Sequence, residues 1–328
     1  MEELFDKIIN RSLKKKATDI HFVLKEKLVI RMRILGDLVY YDMMNKEEGQ
    51  KLMNFMKYQA KINTNYRLQP QTGQFVVIQN QKEFFLRVSY LPSLEFESIV
   101  VRILNNHDSL SIEELTPLET IIQYLQKIPS YTSGLFLISG ATGSGKSTTL
   151  YTLLDAIVKT KRKNVITIED PIEMRKEECL QIELNEKLGI TYEHTLKQIL
   201  RHDPDVIMIG EIRDEQTAKI AITCALTGHL VLTTIHASNA YLALKRLENL
   251  GISKVDLCDV MIGSLSQRMK FDKKEKKVIL LPELMTKEQI SNALNTNQMN
   301  YQTFNKNRLE LIQKHHIPEY VFEGDIYE

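Results

Sequence analysis

The octapeptide Gly140–Ser147 constrains the fold of this chain more than any other stretch. It reads Gly-Ala-Thr-Gly-Ser-Gly-Lys-Ser and fits the phosphate-binding pattern G-x-x-x-x-G-K-[ST] without a mismatch. The apolar run Leu135–Ile138 before it predicts a buried strand, and Ser147–Val158 after it predicts a helix. In this context a glycine-rich turn directs backbone N–H groups and a helix amino terminus toward one phosphate. The sequence therefore predicts a phosphate-binding loop between a strand and a helix.

The same pattern assigns roles to individual loop residues. We expect Lys146 to contact the β- and γ-phosphates of ATP, and Ser147 to bind Mg²⁺. A glycine-rich turn with a chance Lys-Ser pair is the alternative, and the flanking strand and helix argue against it. The predicted nucleotide-binding residues are those of the loop and the first helical turn: Gly140, Ala141, Thr142, Gly143, Ser144, Gly145, Lys146, Ser147 and Thr148.

Composition limits the class of protein. With 328 residues, of which 43% are apolar, the chain is long enough for two globular domains. The 43 Lys and Arg against 42 Asp and Glu do not favour nucleic acid or an anionic membrane as the main ligand, although local patches remain possible. No apolar run approaches the ~18 residues of a membrane span, and the acidic start is unlike a signal peptide, so we expect a cytosolic protein. Three widely spaced cysteines, Cys179, Cys224 and Cys258, offer neither a disulfide framework nor a zinc pair.

The first third of the chain predicts a separate, smaller α+β domain, residues 1–104. It begins with a helix at Glu2–Leu13, and Leu28–Leu35 predicts a strand with alternating arginines. Gln71–Gln74 predicts a turn before further strands. Residues 105–117 are polar and are expected to form an interdomain linker.

The remainder, residues 118–328, predicts an α/β domain. Strands alternate with helices after the phosphate loop, which indicates a mostly parallel sheet covered on both faces. Beyond Gly251 the sequence looks helical and increasingly polar.

Polar clusters follow three predicted strands of this domain. The clusters Glu169–Glu173, Gly210–Asp214 and His236 come directly after apolar runs. Ligands of open α/β sheets bind at the carboxyl ends of the strands, so these clusters are candidate active-site residues.

Phosphoryl transfer to water requires a metal ion, a group that orients the water, and cations. Glu211 lies where nucleoside triphosphatases carry the acid that binds Mg²⁺ or polarises water, and Gly210 occupies the place where an aspartate is more usual. We therefore expect Mg²⁺ to be bound by Ser147 and waters, with Glu169 and Glu211 as further candidate ligands and as catalytic acids. His236 is a candidate sensor of the γ-phosphate. A structural hydrogen bond is the alternative for His236, as for His229.

These clusters, in this order, resemble those of the secretion-superfamily traffic ATPases, the motors of type II secretion, type IV pili and competence pseudopili. The resemblance rests on the phosphate loop and on three segments that follow it: Thr167–Glu173, Leu200–Asp214 and Thr227–His236. Upstream of the loop, three more segments are similar to the family: Thr18–His21, Leu86–Pro92 and Val101–Leu104.

The resemblance implies a PAS-like amino-terminal domain, a RecA-like P-loop ATPase domain and a homo-hexameric ring. It implies that Arg87 and Arg102 assist hydrolysis at the nucleotide of another subunit. It also implies docking on the cytoplasmic face of an inner-membrane platform protein, hence peripheral association with the cell membrane. The near-neutral charge separately predicts no direct binding of nucleic acid. Surface ion pairs are the alternative for both arginines.

Departures from the family pattern guide the choice within it. Secretion and extension motors usually carry four zinc-binding cysteines and a long extra amino-terminal domain, neither of which the sequence shows, so we expect no zinc. Gln71–Gln74 replaces a usual D-G-R, and Ser93–Ser98 lacks a usual glycine. The sequence is most similar to the competence-pseudopilus assembly ATPases, which serve DNA uptake. The alternatives are a pilus-retraction motor, a secretion motor, a RecA-like DNA translocase or helicase, and a nucleotide-binding scaffold without turnover.

Overall fold

The computed structural model describes residues 1–34, 36–64, 68–79, 81–104, 110–160, 162–185, 188–272, 274–275, 277–296 and 300–323. The chain divides into two compact units. The amino-terminal unit is Met1–Asp108 and the carboxy-terminal unit is Ser109–Glu328. No helix in the described part of the chain is long and apolar enough to cross a bilayer.

The described part of the amino-terminal unit is a six-stranded antiparallel sheet with two helices. The strand order is β3-β2-β1-β6-β5-β4. The elements are α1 (Glu2–Lys14), β1 (Ala17–Leu24), β2 (Lys27–Ile34), β3 (Asp37–Asn45), α2 (Lys46–Gln59), β4 (Gln71–Gln79), β5 (Lys82–Pro92) and β6 (Glu97–Ile103).

One face of this sheet forms the core of the unit. Alternate residues such as Phe22 of β1 and Ile30 of β2 are buried with Phe5 and Ile9 of α1. Side chains alternate between the faces of a strand, so the intervening residues, including the arginines of β2, β5 and β6, lie on the opposite face.

The described part of the carboxy-terminal unit is built on a seven-stranded sheet of order β13-β12-β7-β11-β10-β8-β9. All neighbouring strands are parallel except β12 and β13. The strands are β7 (Gly134–Gly140), β8 (Val165–Glu169), β9 (Leu180–Glu183), β10 (Val206–Ile209), β11 (Leu230–Ile235), β12 (Met261–Asp272) and β13 (Lys277–Thr286). The helices are α3 (Ile112–Leu115), α4 (Glu119–Lys127), α5 (Lys146–Val158), α6 (Tyr192–Ile199), α7 (Glu215–Leu226), α8 (Ala240–Asn249), α9 (Lys254–Val260), α10 (Lys287–Thr296) and α11 (Phe304–His315), with single 3-10 turns at Ile128–Ser130 and Glu319–Phe322.

Both faces of this sheet are covered, as the alternation of strands and helices predicts. On β7, Phe136 and Ile138 face one hydrophobic core, whereas Leu135 and Leu137 face another. A strand buried on both sides explains the uninterrupted apolar run before the phosphate loop. The α/β class is therefore confirmed.

Two expectations for residues before the phosphate loop are wrong. Gln71–Gln74 is the beginning of β4 rather than a turn. A Cβ on Gly73 would lie 1.9 Å from the Ala60 carbonyl oxygen, so glycine is needed for a close approach of two backbone segments. Part of the expected linker is helix α3, whose Ile112 and Leu115 are buried in a core. Residues 105–109 of the linker and Leu35 of the predicted strand lie outside the described residues.

The expectation of a helical region beyond Gly251 is right for α9, α10 and α11 but wrong for Met261–Asp272 and Lys277–Thr286, which form two strands. The long hairpin of β12 and β13 extends the sheet beside the phosphate-loop strand. Pro282 falls within β13, and a proline is tolerated there because β13 is an edge strand, whose outward N–H groups have no partner strand. The sequence patterns do not predict strand β9 at the opposite edge either.

A buried carboxylate on β13 joins two helix starts. Glu283 is 3% exposed and accepts hydrogen bonds from the N–H groups of Ala240 at 2.8 Å and Phe304 at 2.9 Å, and from the Tyr301 hydroxyl at 3.3 Å. Burial raises the pKa of Glu283, and the two backbone donors oppose that rise. Ala240 and Phe304 are the first residues of α8 and α11, so the hairpin and both helices share this contact.

We predict that Glu283→Ala lowers the free energy of unfolding by about 2 kcal/mol or more, because two buried N–H groups lose their acceptor. Urea unfolding followed by circular dichroism measures the loss. Glu288→Ala, which removes an exposed carboxylate of α10, is the control and should change stability by less than about 0.5 kcal/mol. Equal effects of the two substitutions would contradict the proposed capping role.

Candidate active site

The phosphate loop adopts a glycine-dependent backbone between β7 and α5. Gly140, Gly143 and Gly145 have φ angles of +149°, +78° and +87°, which L-residues with side chains adopt with strain. Gly140 also needs the space of its missing side chain, since a Cβ would lie 2.4 Å from Ser144 Oγ and 2.5 Å from the Gln267 carbonyl oxygen. The loop thus leads into the amino terminus of α5, where the first N–H groups of the helix are available for an anion.

The loop lysine is bound to the loop's own backbone. Lys146 Nζ donates to the carbonyl oxygens of Gly140 and Ala141, each at 3.0 Å. Burial lowers the pKa of Lys146, while the carboxylates of Glu211 and Glu173 oppose that change. The ammonium group therefore lies inside the loop and close enough to Glu211 and Glu173 to interact with them electrostatically.

Strand register brings the predicted polar clusters to the phosphate-loop edge of the sheet. Ser139 of β7 lies opposite Ile235 of β11, and Ile209 of β10 lies opposite Ile168 of β8. Since these strands are parallel, the residues that follow them emerge at one edge. Glu169, Glu211, His236 and the phosphate loop are thereby assembled as the sequence predicts.

Glu211 is the centre of an ionic cluster at this edge. Its Oε1 lies 3.1 Å from Nε2 of His236, and its Oε2 accepts from Nε of Arg213 at 3.0 Å. Arg213 also donates to Asp170 at 3.2 Å. The hydrogen bond that Arg213 donates to Glu211 contributes most to raising the pKa of Arg213, and burial opposes it in part. The carboxylate of Glu211 is held between an imidazole and a guanidinium group, and it is 22% exposed.

Gly210, which replaces the usual aspartate, is close to β8. Its N–H donates to the Ile168 carbonyl at 2.9 Å, and a Cβ on it would lie 3.4 Å from the same oxygen and 3.6 Å from Glu169 Cα. These are ordinary van der Waals distances, so a side chain at position 210 would begin in contact with β8. This position therefore supplies backbone hydrogen bonds, and the first carboxylate after β10 is that of Glu211.

Glu169 is buried beneath the edge rather than exposed upon it. It is 3% exposed, and its Oε1 accepts from Thr167 at 2.6 Å and from Gln181 at 3.1 Å, while Oε2 accepts from the Tyr151 hydroxyl. Burial raises the pKa of Glu169, and these three donors oppose the rise. Three of about four lone-pair sites are thus in use, which leaves one on Oε2.

The donors available for Mg²⁺ are oxygen atoms, as the ion prefers. Ser147 lies in the first turn of α5 and is partly exposed, and Glu211 offers a partly exposed carboxylate. The two residues fit a site in which Mg²⁺ keeps waters and takes phosphate oxygens. Glu169 fits less well, because a metal would compete with its buried hydrogen bonds. In the part of the chain that the structure describes, no three His, Cys, Asp or Glu side chains converge on a metal position.

Strand β12 contributes a wall of the site that the sequence patterns do not predict. A pocket of about 290 Å³ above Gly140–Ser144 is bounded by Gln267–Lys270 of β12 and by Ala237 and Ser238. The fully buried Gln267 donates from Nε2 to Thr149 Oγ1 at 2.7 Å and so ties β12 to the first turns of α5. Because the residues beyond Gly251 have a helical pattern, no signal indicates that Gln267 or Arg268 would reach the loop.

His229 is not part of this edge. It precedes β11, whereas the phosphate loop follows β7, so the two lie at opposite ends of parallel strands. Its Nδ1 is 3.0 Å from the Cys224 carbonyl oxygen and 3.1 Å from Thr227 Oγ1. These contacts support the structural alternative for His229.

The two arginines expected to act at another subunit's nucleotide belong to the amino-terminal unit. Arg87 of β5 is exposed, whereas Arg102 of β6 donates from Nε to the buried Asp19 carboxylate at 2.7 Å. They lie directly opposite each other on neighbouring strands. Their catalytic roles stay predictions.

A phosphate loop between a central parallel strand and a helix, with a carboxylate two residues past β10, which β11 separates from the loop strand β7, defines the P-loop class of nucleotide-hydrolysing proteins. The family model described as "Type II/IV secretion system protein" matches residues 1–320. The chain belongs to this family.

Individual relatives agree with this assignment. Competence protein ComGA of Bacillus subtilis is 37% identical over 270 residues, which are 82% of this chain and 76% of the relative. A putative type II secretion system protein E of Escherichia coli is 37% identical over 81% of this chain and 54% of its own length. The crystal structure of the pilus retraction motor PilT with ADP superimposes with a TM-score of 0.73 and 27% identity, covering 94% of this chain and 92% of that one. The chain is an ATP-hydrolysing P-loop enzyme with a RecA-like fold, preceded by a β-sheet domain.

We predict that Gly140→Ala destabilises the carboxy-terminal unit far more than Gly143→Ala. Both positions have positive φ, which costs about 1–2 kcal/mol for alanine. Only at Gly140 would the added methyl group meet other atoms, whereas nothing lies within 4 Å at Gly143. Thermal unfolding of the two variants gives the comparison, and equal midpoints would show that the loop is not packed against Ser144 and β12 as described.

Proposed function

We propose that this chain is the homo-hexameric ATPase that powers assembly of a competence pseudopilus, a type IV pilus-like machine for DNA uptake. The observation that carries this choice is the similarity to ComGA, which extends over 82% of this chain and 76% of the relative. The protein would act in the cytoplasm, bound to a platform protein at the inner face of the cell membrane. The three cysteines of the sequence are far apart, so no zinc site is part of the proposal.

The catalytic part of the proposal assigns one task to each group at the phosphate-loop edge. Lys146 leaves the carbonyl oxygens of Gly140 and Ala141 when a phosphate offers a stronger, charged acceptor. Ser147 and Glu211 hold Mg²⁺, which supplies charge neutralisation at the β- and γ-phosphates. Glu211 also orients the attacking water.

His236 and Arg213 fix the position of Glu211, because each contacts a different carboxylate oxygen. His236 is partly exposed beside Glu211, and this supports its role as a sensor of the γ-phosphate. Glu169 lies beneath the phosphate-loop edge, where its carboxylate accepts hydrogen bonds from Tyr151 and Gln181. We therefore assign Mg²⁺ binding first to Ser147 and Glu211, and only secondarily to Glu169.

Completion of the site by another subunit is the second part of the proposal. The amino-terminal unit has no phosphate loop in its sequence, yet it carries Arg87 and Arg102. Arg87 is exposed, and its side chain makes no hydrogen bond or ion pair with the side chain of another described residue. Arg102 is oriented by Asp19 and remains 56% exposed. We assign Arg87 as the cation that enters a neighbour's site and Arg102 as its supporting partner.

A pilus-retraction motor is the alternative within the family, favoured by the similarity to PilT over 94% of this chain. Deletion of the gene separates the two functions. Loss of surface pseudopili would support assembly, whereas more numerous or longer pili would support retraction. A DNA translocase or helicase is the alternative of another class, and it requires ATP hydrolysis that is stimulated by DNA. The net charge of +1 argues against this alternative.

We predict that Glu211→Gln binds ATP normally but hydrolyses it more slowly, by a factor on the order of 10²–10⁴. The amide keeps the size of the side chain and removes the charge that orients water. Lys146→Ala should instead lose ATP binding, measured by calorimetry. Glu215→Gln, an exposed acid on α7 paired with Lys219, is the matched control and should turn over ATP at the parent rate. Parent-like hydrolysis by Glu211→Gln would move water activation to another group.

We further predict complementation between two inactive variants. Lys146→Ala subunits keep Arg87, and Arg87→Ala subunits keep the phosphate loop, so mixed rings should recover hydrolysis at some interfaces. Loss of an arginine that acts in trans can cost about 10³ in rate. Arg11→Ala, on α1 of the same unit, is the control and should remain active alone. Mixed rings seen by native mass spectrometry without recovered activity would refute action in trans.

A further inference from the structure

Residues 171–176 lie between β8 and β9 without regular secondary structure, and we call them the strap. The strap begins directly after Asp170, whose carboxylate accepts a hydrogen bond from Arg213. It also contains Glu173, whose negative charge opposes the lowering of the Lys146 pKa by burial. The path of the strap therefore affects two acids at the phosphate-loop edge.

Side chains of β9 and α5 bind three alternate backbone N–H groups of the strap. The three bonds run from Ile172 to Glu183 at 3.1 Å, from Met174 to the Tyr151 hydroxyl at 3.2 Å and from Lys176 to Gln181 at 2.7 Å. Each of these bonds depends on the rotamer of one side chain, whereas the bonds of a strand ladder join two backbones. A few individual residues consequently determine the path of the strap.

Gln181 of β9 contacts the strap twice and the buried carboxylate of Glu169 once. Its Oε1 accepts from the Lys176 N–H, while its Nε2 donates to the Met174 carbonyl at 2.9 Å and to Glu169 Oε1 at 3.1 Å. An amide nitrogen carries two N–H donors, one for each of these acceptors. Gln181 lies opposite Thr167, two residues before Glu169 on β8, so all three side chains are on one face of the sheet. One side chain thus joins the strap to the floor of the site.

An ion pair that is largely removed from water holds the end of the strap to α5. Lys176 Nζ lies 2.7 Å from Asp155 Oδ1 and 2.8 Å from Oδ2, and the two side chains are 12% and 17% exposed. Salt screens such a pair much less than it screens an exposed one. Because α5 begins at the phosphate loop, this ion pair fixes the strap relative to that loop.

We propose that Gln181 is a positioning residue for ATP hydrolysis, which acts by holding the strap in place. Held in this way, Asp170 and Glu173 stay beside their partners at the phosphate-loop edge, and Glu169 keeps its orientation beneath them. Small displacements of groups around a reacting centre can lower a rate by up to about 10². The inference rests on the proposed function, to which it adds a residue of the edge strand β9.

Gln181→Met tests this role in the full-length protein, because methionine keeps the length of the side chain and removes all three hydrogen bonds. We expect kcat for ATP to fall roughly tenfold while KM changes by less than about threefold, since the phosphate loop itself is untouched. Gln123→Met is the matched control, because it removes an exposed amide of α4 that donates to Glu119. The control should keep the parent kcat. A parent-like kcat in folded Gln181→Met would overturn the proposal, because a purely structural side chain lowers stability without changing turnover.

Amide hydrogen exchange tests the strap without any turnover. Loss of the acceptor for the Lys176 N–H should speed exchange in the peptide that spans the strap by about tenfold, whereas helix α1 should exchange at the parent rate. Mass spectrometry of the digested protein measures both peptides. Unchanged exchange of the strap in Gln181→Met would show that Gln181 does not hold it.

Asp155→Asn approaches the same strap from its other anchor. Weakening the ion pair with Lys176 should also lower kcat with little change in KM. Glu310→Gln is the control, since it removes the acid of an ion pair with Lys314 on α11. If both anchors act through the strap, the loss of kcat in the combined Gln181→Met and Asp155→Asn variant is smaller than the product of the separate losses. Losses that multiply would mean independent roles and would overturn the proposal.

The proposed function and this inference fail in different ways. If the parent protein does not hydrolyse ATP, the proposed function is wrong, yet hydrogen exchange still reports whether Gln181 holds the strap. If the parent hydrolyses ATP and Gln181→Met does so at the same rate, only the inference about Gln181 is wrong.

Discussion

The candidate active site depends on the shared register of parallel strands in the carboxy-terminal sheet. Because β7, β8, β10 and β11 run in one direction, the residues after each of them meet at one edge. Segments that are up to about 100 residues apart in sequence supply a phosphate loop, a buried carboxylate, a partly exposed carboxylate and a histidine there. A shift of one residue in any strand would turn its side chains to the opposite face. The two hydrophobic cores that cover the sheet therefore determine the geometry of the polar site.

Within this site, charge is organised around the loop lysine and Glu211. Lys146 occupies the loop by binding two of its carbonyl oxygens, and Glu211 is held from two sides by His236 and Arg213. Both groups are bound to partners that a charged ligand can replace. Glu169, in contrast, is fixed in the interior by Tyr151, Thr167 and Gln181. The two carboxylates thus differ in exposure and in the ligands they can bind, although Glu169 ends β8 and Glu211 follows closely after β10.

Much of this arrangement can be predicted because its signals are local in sequence. The phosphate loop, the apolar strands and the polar clusters after them are contiguous patterns, so the sequence alone is enough to predict that Lys146, Glu211 and His236 belong to the candidate site. The β12–β13 hairpin cannot be identified in this way, since Pro282 and the charged residues near it interrupt the apolar pattern and edge position is invisible in sequence. Without the hairpin, neither Gln267 nor the shared contact of Glu283 can be predicted. The turn expected at Gln71–Gln74 is wrong for a related reason, because the need for Gly73 comes from Ala60, a residue 13 positions away.

The central claim is that the loop edge binds the triphosphate through Lys146 and presents Glu211 to the reacting phosphate. A crystal structure with Mg²⁺ and a non-hydrolysable ATP analogue tests it most directly. We expect Lys146 Nζ to leave the Gly140 and Ala141 carbonyls for the β- and γ-phosphates, with the metal on Ser147 and the Glu211 carboxylate facing the γ-phosphate. A nucleotide bound away from Gly140–Ser147, or a Lys146 still on those carbonyls beside bound phosphates, would contradict it.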